Sequence, residues 1–113
     1  MRSAKNMTHE IAVQLVDGLR AIRNRVRIKE RDSSAYPWGL PLFAPVKGYL
    51  ETAKSGPVTL ASIEFIDVEK GETIQRGALL QPTIIDRSNE IERLLASVGL
   101  PFEDAGDFIR IKT

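Results

Sequence analysis

The sequence predicts an α+β fold, with a three- to four-stranded, mostly antiparallel sheet carrying two helices packed on one face. Two stretches of apolar residues at three- and four-residue intervals flank three strand-like segments, and glycine-bearing turns separate those segments. Helices and strands are thus segregated along the chain, unlike the strict alternation of a parallel α/β sheet. A length of 113 residues fits one domain, 1–113, because two independent cores would each bury too little apolar surface.

Residues 1–7 are basic, lack the apolar run of a secretory signal, and are expected to be disordered. Thr8 is placed to cap a first helix, with Glu10 in its opening turn and Ile11, Leu15, Leu19, Ile22 and Val26 along one face. Gly18 interrupts this pattern at a cost of about 1 kcal/mol relative to alanine, which implies close packing or a weak point there. From Arg23 onward the run Arg-Asn-Arg-Val-Arg-Ile-Lys-Glu-Arg also alternates with period two. Helix propensity favours a helix continuing to about Lys29, and an edge strand is the alternative.

Asp32-Ser33-Ser34 breaks the pattern and opens a proline and aromatic arm over residues 33–45, in which no regular element is expected. Tyr36, Trp38, Leu40, Leu42 and Phe43 are too apolar for an exposed linker, so the arm should pack over the core or against another subunit. Strand-like segments follow at 46–53, 58–68 and 73–80, joined by Lys54-Ser55-Gly56-Pro57 and Glu69-Lys70-Gly71-Glu72, and they predict a meander. In the middle segment Ala61, Ile63 and Phe65 share a face, but the apolar phase then slips to Ile66 and Val68. That slip predicts a bulge near Phe65 and Ile66. Thr83-Ile84-Ile85-Asp86 either extends an edge or leads into the second helix. Ser88 is its expected cap, Glu90 and Glu92 suit its N-terminus, and Ile91, Leu94, Leu95 and Val98 form its buried stripe. Gly99-Leu100-Pro101 ends it, and a short strand over 107–112 places Ile109 and Ile111 on one face.

The composition, 42% apolar and 27% charged, is that of a folding globular chain. With no cysteine, disulfides and thiolate metal sites are excluded, and a reducing compartment is permitted. No membrane-length apolar run occurs, so a cytoplasmic location is expected. The formal net charge of +1 provides no global attraction for polyanions, and any electrostatic role must come from local patterning.

The densest such pattern is Arg20, Arg23, Arg25, Arg27, Lys29 and Arg31, followed by Tyr36 and Trp38. Cations at this spacing can track phosphates or acidic side chains, and the two aromatic rings can stack on bases. The competing expectation is a solvated face whose cations pair with Glu64, Asp67 and Glu69. His9 is the sole histidine, so neither a zinc site nor a Ser-His-Asp device is expected.

The order helix, three strands, helix, strand resembles the core of restriction-type metal-dependent nucleases, which implies carboxylates on neighbouring strands holding magnesium. Asp67 and Glu69 are the residues that could share such a face, but Lys70 would point away and the family's acid and lysine spacing is missing. Ala44-Pro-Val-Lys-Gly48, Glu51-Thr-Ala-Lys54 and Val68-Glu-Lys-Gly71-Glu-Thr-Ile-Gln-Arg-Gly77 are similar to pieces of biotinyl- and lipoyl-type carrier domains, which would make Lys54 the modified residue. The interval from Lys54 to Gly71 departs from that family, as do two flanking helices, and turn chemistry accounts for the likeness.

The sequence therefore predicts a small non-enzymatic binding module that engages an anionic partner, nucleic acid or acidic protein, through the basic segment and Tyr36 and Trp38. The alternatives are a nuclease-like metal enzyme and an interaction protein that uses the arm, with a homodimer as one way of covering it. No cofactor, catalytic residue or metal ligand is assigned.

Overall fold

The computed structural model describes residues 7–43, 47–74, 77–78 and 80–112. Of the segment expected to be disordered, residues 1–6 lie outside the described residues, and Met7 is buried in the core. The first helix, α1, spans His9–Ile22. Thr8 caps it as expected, its Oγ1 accepting the Ile11 N–H at 3.2 Å.

Past α1 the structure corrects the expected continuation to Lys29. Arg23 adopts a left-handed φ of 73° and donates its N–H to the Leu19 carbonyl, which closes the helix. The alternating residues then form a strand, β1, over Val26–Glu30. Propensity favours helix here, but Val26 and Ile28 become fully buried only in the period-two conformation.

Among its described residues the arm contains one regular piece, the two-residue strand β2 (Pro41–Leu42), where none was expected. Upstream it runs along the free edge of β1. Val26 and Gly39 exchange backbone hydrogen bonds of 2.8 and 2.9 Å, and Tyr36 N–H donates to the Ile28 carbonyl. The arm thus packs on its own chain and seals an otherwise open edge. Its last residues, 44–45, lie outside the described residues.

The expected meander is divided among three sheets. Strands β3 (Tyr49–Thr52) and β4 (Gly56–Thr59) join β2 in the order β2-β3-β4. A 3-10 turn over Leu60–Ser62 then redirects the chain into β5, Ile63–Glu69. Among the described residues, strand β6 (Gly71–Ile74) pairs only with β7 (Thr83–Asp86), forming a separate ribbon. After α2 (Ser88–Val98) come β8 (Phe102–Asp104) and β9 (Phe108–Lys112). The main sheet has the order β1-β5-β9-β8, with every neighbouring pair antiparallel.

The bulge falls one residue before its expected place. Lys29 pairs with Phe65 and Glu30 with Ile63, so Glu64 is the extra residue. This insertion lets Ile63 and Ile66 both face inward. Helix α2 is capped differently from expectation, because Asp86 Oδ1 accepts from both the Ser88 N–H and the Ser88 hydroxyl. Its end matches expectation: Gly99 is left-handed at φ 76°, and buried Leu100 donates its N–H to the Leu95 carbonyl.

Both helices cover one face of the main sheet. Leu15, Leu19, Ile91 and Leu95 pack with Ile28, Ile66, Val68, Ile109 and Ile111 in one continuous core, and each such buried side chain stabilises by about 1.5–3 kcal/mol. A Cβ at Gly18 would overlap the Leu94 side chain, so this glycine lets α1 and α2 approach closely. Among the described residues no helix is long and apolar enough to cross a membrane.

Candidate functional site

Alternation along β1, β5 and β9 sends Arg27, Lys29, Phe65, Asp67, Glu69, Phe108 and Arg110 to the sheet face away from the helices. At its centre the Asp67 carboxylate is fully buried between two guanidiniums. Arg27 Nη2 lies 2.8 Å from Oδ2, and Arg110 Nε lies 2.8 Å from Oδ1. The hydrogen bond to Asp67 raises the pKa of Arg110 above its ordinary value, with burial opposing it.

Aromatic rings close the flanks of this cluster. Arg27 stands 4.4 Å from the Trp38 ring and Arg110 stands 3.7 Å from Phe65, while Trp38 meets Phe108 edge-on at 6.0 Å. Arg25 forms a two-pronged pair with Glu69 at 2.9 and 2.7 Å, and Lys29 meets Glu64 at 2.7 Å. Arg25, Arg27 and Lys29 are therefore paired with the three acids that the competing expectation named. The Trp38 ring is already covered by a guanidinium, and Tyr36 is turned elsewhere. Its hydroxyl donates to Glu30 at 2.6 Å, holding that carboxyl below its usual range, and Ser62 adds a second bond.

The remaining cations behave differently. Arg31 donates to the Ala61 carbonyl. Arg20 donates to the Pro41 carbonyl at 2.9 Å and lies 5.4 Å from the Phe43 ring. The Arg23 guanidinium has no partner among the described residues.

Arg20, Arg23 and Arg25 converge on an open cleft of about 900 Å³. Asp17 and Ala21 complete the helical wall, Leu40 and Pro41 of the arm form an apolar wall, and Glu69, Gly71 and Glu72 close the third side. Glu72 pairs with Arg87 at 2.9 Å, a cation it shares with Glu90, and Glu69 pairs with Arg25. Arg20, Arg23 and Asp17 have no ion-pair partner among the described residues, so the α1 side of the cleft carries two cations against one acid.

Sequence reasoning found the three arginines but missed Asp17, Leu40, Pro41, Gly71 and Glu72 as their companions. No local pattern joins residues some fifty positions apart, and a break in helical periodicity at Arg23 is the sole cue. Asp67 and Glu69 do share a face, as the nuclease resemblance required, but arginines occupy both carboxylates. Among the described residues no group of three or more histidine or acidic side chains is arranged to hold a metal ion. His9 Nδ1 is buried without a hydrogen-bond partner beside a small cavity lined by Val16, Phe43 and Tyr49. Lys54, the residue singled out by the carrier resemblance, is exposed in the turn between β3 and β4.

A family model described as a family of unknown function (DUF6678) matches residues 14–113, and the chain belongs to that family. No curated protein and no solved structure matches it.

Proposed function

We propose that this member of the family is a non-enzymatic binding module that engages an anionic partner through the cleft beside the end of α1. Arg20 and Arg23 are the contacting cations, and Arg25 stands at the rim. One observation carries the reading: three cations of the basic segment meet at a single concave site, and Arg23 has no protein partner among the described residues. A concave, partly apolar site with a few convergent polar groups is the usual form of a binding site. Arg27 and Lys29 leave the contact set, since they do not line the cleft and are paired with Asp67 and Glu64. An enzyme that used Asp67 as a metal ligand would first have to separate it from two arginines.

The arm supports a related interaction role at the same place. Leu40 and Phe43 are each about half exposed, and Leu40 lines the cleft, so an occupant would meet charge and apolar surface together.

The test is fluorescence anisotropy with a labelled acidic peptide and a labelled oligodeoxythymidylate, each across a range of salt concentrations. At least one probe should bind at low salt and weaken as salt rises, and Arg23→Glu should weaken binding about tenfold. Failure of both probes at low salt, or binding indifferent to salt and to Arg23→Glu, contradicts the proposal.

A further inference from the structure

The cleft is bordered by two strand edges, and only one can accept another strand. On the arm side, Pro41 has no N–H to offer and its carbonyl is taken by Arg20. On the opposite side lies β6. The cleft is lined there by Gly71 and Glu72, the first two residues of this strand. Apart from its pairing with β7, no backbone hydrogen bond involves Gly71–Ile74 among the described residues. Among the described residues, the ribbon therefore leaves amide and carbonyl groups of β6 unpaired on the side away from β7, in a strand whose first two residues line the cleft.

We infer that the occupant of the cleft is an extended acidic peptide segment of a partner protein, added as a strand to the open edge of β6. This rests on the reading of the cleft as the anion site. Main-chain hydrogen bonds to β6 supply affinity, and carboxylates at alternate positions meet Arg20 and Arg23. Side chains of the other parity lie against Leu40 and Ile74, which is 37% exposed. Asp17, which has no partner among the described residues, disfavours a dense polyanion at the same wall. Nucleic acid also lacks the amide and carbonyl spacing that a strand edge pairs with. The recognition is thus of a peptide backbone carrying negative charge, not of charge alone.

The experiment uses a labelled peptide of alternating glutamate and valine, two versions of it N-methylated on alternate amides in opposite phase, and oligodeoxythymidylate. In a two-stranded pairing only alternate amides point at the neighbour, so one methylated version should bind about tenfold more weakly and the other nearly as well as the parent. Peptide binding should also slow hydrogen exchange at the outward amides of 71–74. Two methylated versions that bind equally, while still weakened by Arg23→Glu, overturn strand addition and leave the anion site standing. Binding of the oligonucleotide alone overturns the peptide occupant. No binding by any probe removes both the inference and the reading beneath it.

Discussion

Arg23 stands where helical periodicity gives way to alternation, and it does so in a backbone conformation that glycine adopts more readily. Arg23→Gly should therefore stabilise the protein by about 0.5–1 kcal/mol while weakening anion binding. Thermal melting checks the first half, and a lower midpoint would mean that the arginine side chain holds the turn. Asp67 behaves in the opposite way. Asp67→Ala leaves two guanidiniums facing each other without a counter-ion, and should cost about 2–3 kcal/mol, less than for a fully buried pair because both arginines are partly exposed. Denaturant titration measures this, and a loss within error of zero would show that the cluster contributes nothing to folding.

Glu30 and Tyr36 set a pH window. Hydrogen bonds from Tyr36 and then Ser62 lower the folded pKa of Glu30, so its contribution is present above its unfolded pKa and is lost as pH falls through the lower folded value. The Tyr36 pKa is raised by the same bond, so that contribution is present below the ordinary phenol value and is lost as pH rises through the higher folded one. Glu30→Gln should thus flatten part of the acid limb of a melting-temperature profile below about pH 4. An unchanged acid limb would assign it to other carboxylates, such as Asp86, Glu103 and Asp104, whose pKa values are also lowered by their partners.

Among the elements, the arm has the clearest structural task. Gly39 lies opposite Val26 in the seal over β1, and a Cβ there would press on the Lys54 backbone nitrogen and side chain. Gly39→Ala should therefore destabilise by about 1–3 kcal/mol and speed hydrogen exchange along β1. Exchange unaffected at Val26, Ile28 and Lys29 would mean that the edge is not held by the arm. Sequence alone exposed the elements whose signals are local. The end of α2 at Gly99, the Thr8 cap and the phase slip near Phe65 each rest on residues within a turn or two of one another. It misjudged 23–29, where helical propensity and strand alternation coincide and only pairing with β5 decides. The division of the three strand segments among three sheets was equally hidden, because the 3-10 turn at Leu60–Ser62 carries no glycine or proline to announce it.

At the scale of the whole molecule, the two faces of the main sheet have different fates. One is buried under the helices. The other is a mosaic of ion pairs and rings that uses up half of the basic segment, including Arg27 and Lys29. Of what remains, Arg20 and Arg23 are gathered where the end of α1, the arm and β6 approach one another, a convergence of elements distant in sequence and therefore invisible to any motif. Because net charge is only +1, attraction for an anionic partner depends on that local surplus and should be strongly screened by salt. The most direct measurement is amide chemical-shift mapping with the acidic peptide at low ionic strength. The account predicts shifts concentrated at 20–25, 40 and 71–74, removed by Arg23→Glu and retained in Lys29→Glu. Shifts centred instead on Arg27, Phe65, Asp67 and Arg110 would return the function to the sheet face and contradict it.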